Sequence, residues 1–207
     1  MATFEGDTGL IAMTTDILDQ FKSSAETALE TGEALSADIE KCANALIATL
    51  EAGGKILLCG NGGSATDASH FSAELLVRFE KERAALAAIT LSADTATITA
   101  AGNDFDFSQI FSRQIEALAR PGDHLVVITT SGNSENLIEA VAAAKRVGSV
   151  SISALSGRDG GKLSRALQAQ DIELRVPSSI TARIQEAHAI IIHVLCTLID
   201  RHFFRGS

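Results

Sequence analysis

Apolar residues recur at helical spacing from Thr14 onward, where Ile17, Leu18, Phe21, Ala25, Ala28 and Leu29 fall three or four positions apart. A second amphipathic stretch starts near Ser36, with Ile39, Cys42, Ala43, Leu46, Ile47 and Leu50 on one face, and Gly53-Gly54 supplies its stop signal. Two helices are therefore predicted ahead of any strand. Residues 1–12 show no such period and read as a flexible tail.

Past Gly54 the period shortens. Lys55–Cys59 reads as a buried strand and Ala65–Phe79 as a helix; Ala84–Leu91 reads as a strand, and residues 98–101 and 107–119 as helical. His124–Thr129 is the clearest strand, followed by a helix over Ser134–Arg146. A strand over Val150–Leu155, a short helix near Leu163–Gln168, a strand over Ile172–Val176 and a long closing helix over Ala182–Phe203 complete the chain. Near-continuous apolar strands alternating with helices predict an α/β fold: a doubly wound parallel sheet of about five strands with helices on both faces. No linker or repeat divides it, so residues 13–207 read as one domain.

Composition narrows the function. Of 207 residues, 46% are hydrophobic and 21% charged, and the formal net charge is −9. An acidic chain without a basic patch is not expected to bind nucleic acid, and any anion it holds must be met by local donors. Cys42, Cys59 and Cys196 form no CxxC pair and read as reduced, packed thiols. No apolar run reaches the ~18 residues of a membrane span, and the N-terminus lacks a signal-peptide pattern. The expectation is a soluble, cytoplasmic protein with no membrane partner.

Two strand-to-helix junctions carry candidate chemistry: Cys59-Gly-Asn-Gly-Gly-Ser-Ala65 and Thr129-Thr-Ser-Gly-Asn-Ser134. Both fall at the carboxyl ends of strands, where doubly wound sheets bind ligands. Glycines let the backbone approach an anion, helix N-termini supply N–H groups, and hydroxyls add donors without charge. Neither loop is a P-loop or a GxGxxG fingerprint. Either could also be a plain turn with a serine cap. His70 and Glu74, at i and i+4, share one helix face, a geometry that serves a metal or an exposed pair equally. On the closing helix Gln185 and His193 lie about 80° apart, and His188 about 140° from His193. His193 has apolar neighbours in sequence and by itself reads as a core histidine bonded to a backbone carbonyl.

Taken together these segments resemble the phosphoheptose isomerases, a branch of the SIS family of sugar-phosphate isomerase domains. The resemblance runs from about Thr14 to Phe204. It is carried by CGNGGSATDASHFSAEL, AGNDFDFSQIFSRQIEALARPGD, TTSGNSENLIEAVAAAK, SGRDGGKL and RIQEAHAIIIH. It implies zinc held by His70, Glu74, Gln185 and His193. It implies substrate contacts from Asn61, Gly62, Gly63, Ser64, Asn103, Asp104, Thr129, Thr130, Ser131 and Ser134, joined by Glu74 and Gln185, and a homotetramer whose sites draw on more than one subunit. Some members carry an acidic residue where this chain has Ala182, so any role of that carboxylate is absent or replaced.

The activity implied is conversion of sedoheptulose 7-phosphate to D-glycero-D-manno-heptose 7-phosphate, with Glu74 as carbon base and His193 as its acid partner, burial tuning both toward neutrality. Two non-catalytic alternatives share the fold: an adaptor for a replication initiator, and a sugar-phosphate sensor. Retention of both Glu74 and His193 favours the enzyme.

Overall fold

The computed structural model describes residues 7–204, with side chains from residue 14 onward. In chain order the elements are α1 (Asp7–Glu51), β1 (Ile56–Gly60), α2 (Gly63–Leu76), β2 (Ala88–Thr90), α3 (Thr95–Asp104), a 3-10 turn (Phe107–Gln109), α4 (Ser112–Leu118), β3 (His124–Ile128), α5 (Glu135–Val147), β4 (Ser151–Gly157), α6 (Gly161–Ala166), β5 (Ile172–Val176) and α7 (Thr181–Phe203). The five strands are all parallel and lie in the order β2-β1-β3-β4-β5. The expected doubly wound sheet is present.

The pleat sends alternate residues to two separate cores. Ile56 and Leu58 of β1 and Val126 and Ile128 of β3 join α1, α2 and α7 on one face. Leu57, Cys59, Leu125 and Val127 join α3, α4 and α5 on the other. A strand buried on both faces needs an unbroken apolar run, which is why β1 and β3 stand out in the sequence. β5, at the edge, buries only alternate residues and leaves Glu173 and Arg175 half-exposed. All three cysteines are buried and free.

The N-terminal region departs from expectation. The two predicted helices are a single helix of 45 residues, about 67 Å long at 1.5 Å per residue. No proline interrupts it, and the mid-helix Gly32 lowers helix propensity by only ~1 kcal/mol. Thr31 Oγ1 donates to the Thr27 carbonyl 2.6 Å away within the same helix. The expected tail over residues 1–12 falls outside the described residues up to residue 6, and α1 starts at Asp7. Its second half packs Leu35, Ile39, Cys42, Leu46 and Ile47 into the core, whereas Ile17, Leu18, Phe21 and Leu29 of the first half are exposed. Arg183 of α7 ties the two helices together, donating to the backbone carbonyl of Gln20 at 2.6 Å.

β2 is shorter than predicted, three residues instead of Ala84–Leu91. Residues 84–86 lie outside the sheet, where the Leu86 N–H donates to the Leu75 carbonyl at the end of α2, 3.0 Å away, and contact with β1 begins at the Ala87 carbonyl, which accepts from the Ile56 N–H. α7 is, among the described residues, one helix long and apolar enough by composition to cross a membrane, with mean hydropathy 1.3 over its most apolar window. Half of that window is buried inside the fold, where Ile184, Ile191, Ile192, Leu195 and Ile199 form part of the core.

Candidate active site

β1 has β2 on one side and β3 on the other, so the chain turns in opposite directions after these neighbouring strands and leaves a crevice between their carboxyl ends. Both glycine-rich loops end there. Asn61 and Asn136 lock them together through reciprocal amide bonds of 2.9 Å in each direction. Asn136 is buried among the apolar residues of α5, and sequence reasoning missed it; its one signal is an amide on an otherwise apolar helix face.

Between the loops is a cavity of about 90 Å³ lined by Asn61, Ser64, Thr129, Thr130, Ser131, Ser134 and Gln185, with Ile128 and Leu137 behind them. The helices that begin at it, α2 and α5, have no side-chain capping bond at Gly62 or Ser134. By contrast, Asp94 caps α3 by accepting from the N–H groups of Ala96 and Thr97. Two helix starts meet at one polar hollow lined by hydroxyls and amides with no charged side chain, a chemistry suited to an anion.

A Cβ would meet a close neighbour at two of the loop glycines. Gly132 has φ +66°, and a Cβ there would lie 1.9 Å from the Gly160 carbonyl oxygen, because this loop packs on the turn before α6. A Cβ on Gly63 would lie 2.3 Å from Gln185 Nε2. That contact seats Gln185, from α7, against the first loop.

The second half of the site lies where α2 meets α7. His70 Nε2 is 3.2 Å from Glu74 Oε1 and 3.4 Å from His193 Nε2. Phe79 stacks on the His193 ring at 5.7 Å between centroids. Glu74 is part-buried and His193 exposed, so the burial expected of both is incomplete in the single chain. The core histidine of α7 is His188 instead, fully buried with Nε2 3.0 Å from the Ser156 carbonyl oxygen. Burial lowers its pKa to about 4. Asp67, one turn before His70, has a buried carboxylate oxygen without a partner, and desolvation raises its pKa against the pull of His70.

The donor set of His70, Glu74 and His193 suits zinc by type, and in a tetrahedral site with bonds of about 2.0–2.2 Å neighbouring ligand atoms sit about 3.3–3.6 Å apart. The observed 3.4 and 3.2 Å spacings approximate such edges. Among the described residues no three or more His, Cys, Asp or Glu are disposed as a complete metal site, however; His70 joins two pairs, and Gln185 sits on the loop cavity. Asn103 and Asp104 are not brought in. Both are exposed at the end of α3, bonded to each other at 2.8 Å, and Asp104 lines a separate hollow beside β2. Ala182 is exposed in the first turn of α7.

Residues 20–157 match the SIS domain family. The phosphoheptose isomerase of Shewanella frigidimarina is 54% identical over 188 residues, which cover 91% of this chain and 95% of that relative. The chain belongs to the phosphoheptose isomerases. Solved structures of phosphoheptose isomerases agree: the Francisella tularensis protein superposes with a TM-score of 0.88 at 48% identity, and the Neisseria gonorrhoeae protein with 0.85 at 45%. Each match covers 91% of this chain and 98% of the other. The chain is thus an isomerase.

Proposed function

We propose that the protein interconverts sedoheptulose 7-phosphate and D-glycero-D-manno-heptose 7-phosphate in the cytoplasm, a step toward the ADP-heptose precursor of lipopolysaccharide, and that residues 13–207 form its SIS sugar-phosphate isomerase domain. The observation that carries the reading is the placement of a hydroxyl-lined anion cavity beside a carboxylate–imidazole cluster, with Gln185 and His193 presented by one helix.

The 7-phosphate sits between the two loops, on Asn61, Gly62, Gly63, Ser64, Thr129, Thr130, Ser131 and Ser134. The sugar extends toward α2 and α7, with Asn103 and Asp104 reaching it in the assembled protein. The isomerisation moves one proton between C1 and C2 and one between O1 and O2. Glu74 takes the proton from C1 of the ketose and returns it to C2, while His193 carries the hydroxyl proton between the oxygens. His70, Glu74, Gln185 and His193 would hold one zinc ion per subunit. The chemistry zinc supplies when bound is Lewis-acid polarisation of the substrate carbonyl. A carboxylate held by a metal is a weaker base, so Glu74 serves both roles only if its second oxygen stays free.

A cavity of 90 Å³ is well short of the 300–1,000 Å³ usual for small-molecule sites. It holds the phosphate end alone. Exposed His193, with Ile190 and Val194 beside it on α7, fits closure by a neighbouring subunit in a homotetramer.

Glu74→Gln and His193→Ala are expected to lower sedoheptulose 7-phosphate turnover by about 10²–10⁴-fold in a coupled assay with circular dichroism unchanged. Near-normal turnover in either would overturn its assigned role. EDTA should abolish activity and added zinc restore it; a chelator-treated, metal-free protein at full activity would remove zinc from the reading.

A further inference from the structure

The segment joining α2 to β2 carries Arg83, whose side chain is only 1% exposed. Its guanidinium offers five N–H donors in a fixed fork. Nε donates to Asp200 Oδ1 of α7 at 2.7 Å. One terminal nitrogen donates to the carbonyls of Leu75 at 2.8 Å and Ala84 at 3.0 Å, and the other to the carbonyl of Glu74 itself. The Phe204 ring lies 5.6 Å from the guanidinium carbon.

These partners define a clamp. Glu74 and Leu75 belong to the last turn of α2, where carbonyls lack helical partners and a cation complements the dipole. Asp200 lies two turns beyond His193 and, at about 100° per residue, within about 20° of it around α7. One buried cation therefore grips the backbone of Glu74 and the α7 face that carries His193. The two helices are pinned twice along one line of contact, at His70–His193 and at Arg83–Asp200. Core packing of Ile184, Ile191, Ile192, Leu195 and Ile199 holds α7 as a whole, and the second pin fixes the local register of its His193 face against the end of α2.

We propose that Arg83, acting through Asp200, is a positioning residue that sets the spacing of His70 and Glu74 against His193. The proposal rests on the reading of that trio as the reacting and metal-holding cluster.

Arg83→Ala would leave Asp200 buried without a countercharge and endanger the fold, so the test uses Arg83→Lys, which keeps the charge but not the fork, and Asp200→Asn. In both, kcat should fall at least about tenfold with KM within about twofold, since small misplacement of reacting groups acts on the chemical step. Zinc affinity, measured by chelator competition, should weaken about 10–100-fold. In metal-free protein the imidazole NMR resonances of His70 and His193 should shift, while those of His124 and His188, buried in the core, stay in place. Wild-type kcat, zinc affinity and His70 and His193 resonances in a folded variant, with Tm alone lowered, would overturn the proposal. If the wild-type protein neither turns over the sugar nor binds zinc, the reading of the trio fails by itself. The metal-free resonances then still decide the clamp: moved signals keep it and unmoved signals reject it.

Discussion

Gly63 shows how a single residue couples the two halves of the site. Its missing side chain leaves room for the Gln185 amide, whose Nε2 would lie 2.3 Å from a Cβ. The obstacle is the far end of a flexible side chain, so an added methyl displaces Gln185 and leaves the fold in place. Gly63→Ala is expected to raise KM for sedoheptulose 7-phosphate about tenfold, roughly 1.4 kcal/mol of binding, with Tm changed by a few degrees at most. Steady-state kinetics beside a thermal melt measures both; an unchanged KM would show that Gln185 makes no contact that matters to the ground state. Gly132 differs, because the atom opposing its Cβ is the Gly160 carbonyl of the backbone. Substitution there has to move a loop.

At the scale of elements, β1, β3 and β4 and the two glycine-rich loops were legible in the sequence because doubly buried strands and tight turns each demand a restricted residue type, and β5 because a half-buried edge strand alternates. The join of α1 was not, since the apolar period lapses between Leu29 and Ser36 and only the absence of proline there argues for continuity. The extent of β2 was set by the tertiary bond from Leu86 to Leu75, which no local pattern reports. The roles of the histidines on α7 were also hidden. Apolar neighbours in sequence suggested that His193 was buried, yet the buried face runs through Ile184, His188, Ile191 and Ile192, and His193 faces out. Asn136 and Arg83 went unnoticed because the side chains that pair with them, Asn61 and Asp200, are far away in sequence.

The two interior histidines give these elements a pH signature. His188 on α7 and His124 on β3, the latter 2.8 Å from Ser153 Oγ, are both fully buried. Burial lowers each to about 4, below the ordinary histidine value of about 6.5. The unfolded chain therefore takes up protons that the folded chain refuses. Their contribution is complete above about pH 6.5 and is lost as the pH falls toward 4. Each should remove about 2 kcal/mol of stability between pH 7 and 5, a window above most carboxylate titration. Urea unfolding at the two pH values, compared with His124→Gln, tests this. The variant should lose about half of the drop, and an undiminished drop would assign the pH dependence to other groups.

For the whole molecule, the question is what covers the free half of α1. Ile17 is 56% exposed, Leu18 54%, Phe21 73% and Leu29 70%, all on a helix that outruns the sheet it packs against. A lone exposed leucine needs no partner, but a stripe of this size on one helix marks an association surface. α7 adds exposed Ile190 and Val194, which share a small hollow with Ala28 and Gly32 of α1, so the same surface borders the cluster proposed as catalytic. A self-complementary patch on a long helix suits isologous pairing, and pairing twice yields the proposed tetramer. Shielding of His193 and the enclosure of the sugar would then depend on assembly. The double substitution Leu18→Glu with Phe21→Glu removes apolar contact and adds like charge without touching the monomer's core, where neither residue is buried. Sedimentation velocity should show a tetramer for the wild-type chain and smaller species for the variant. Far-UV circular dichroism should stay unchanged and turnover should fall at least about tenfold as the site opens to water. A monomeric wild-type chain with full activity would sink the assembly argument, as would a variant that remains tetrameric.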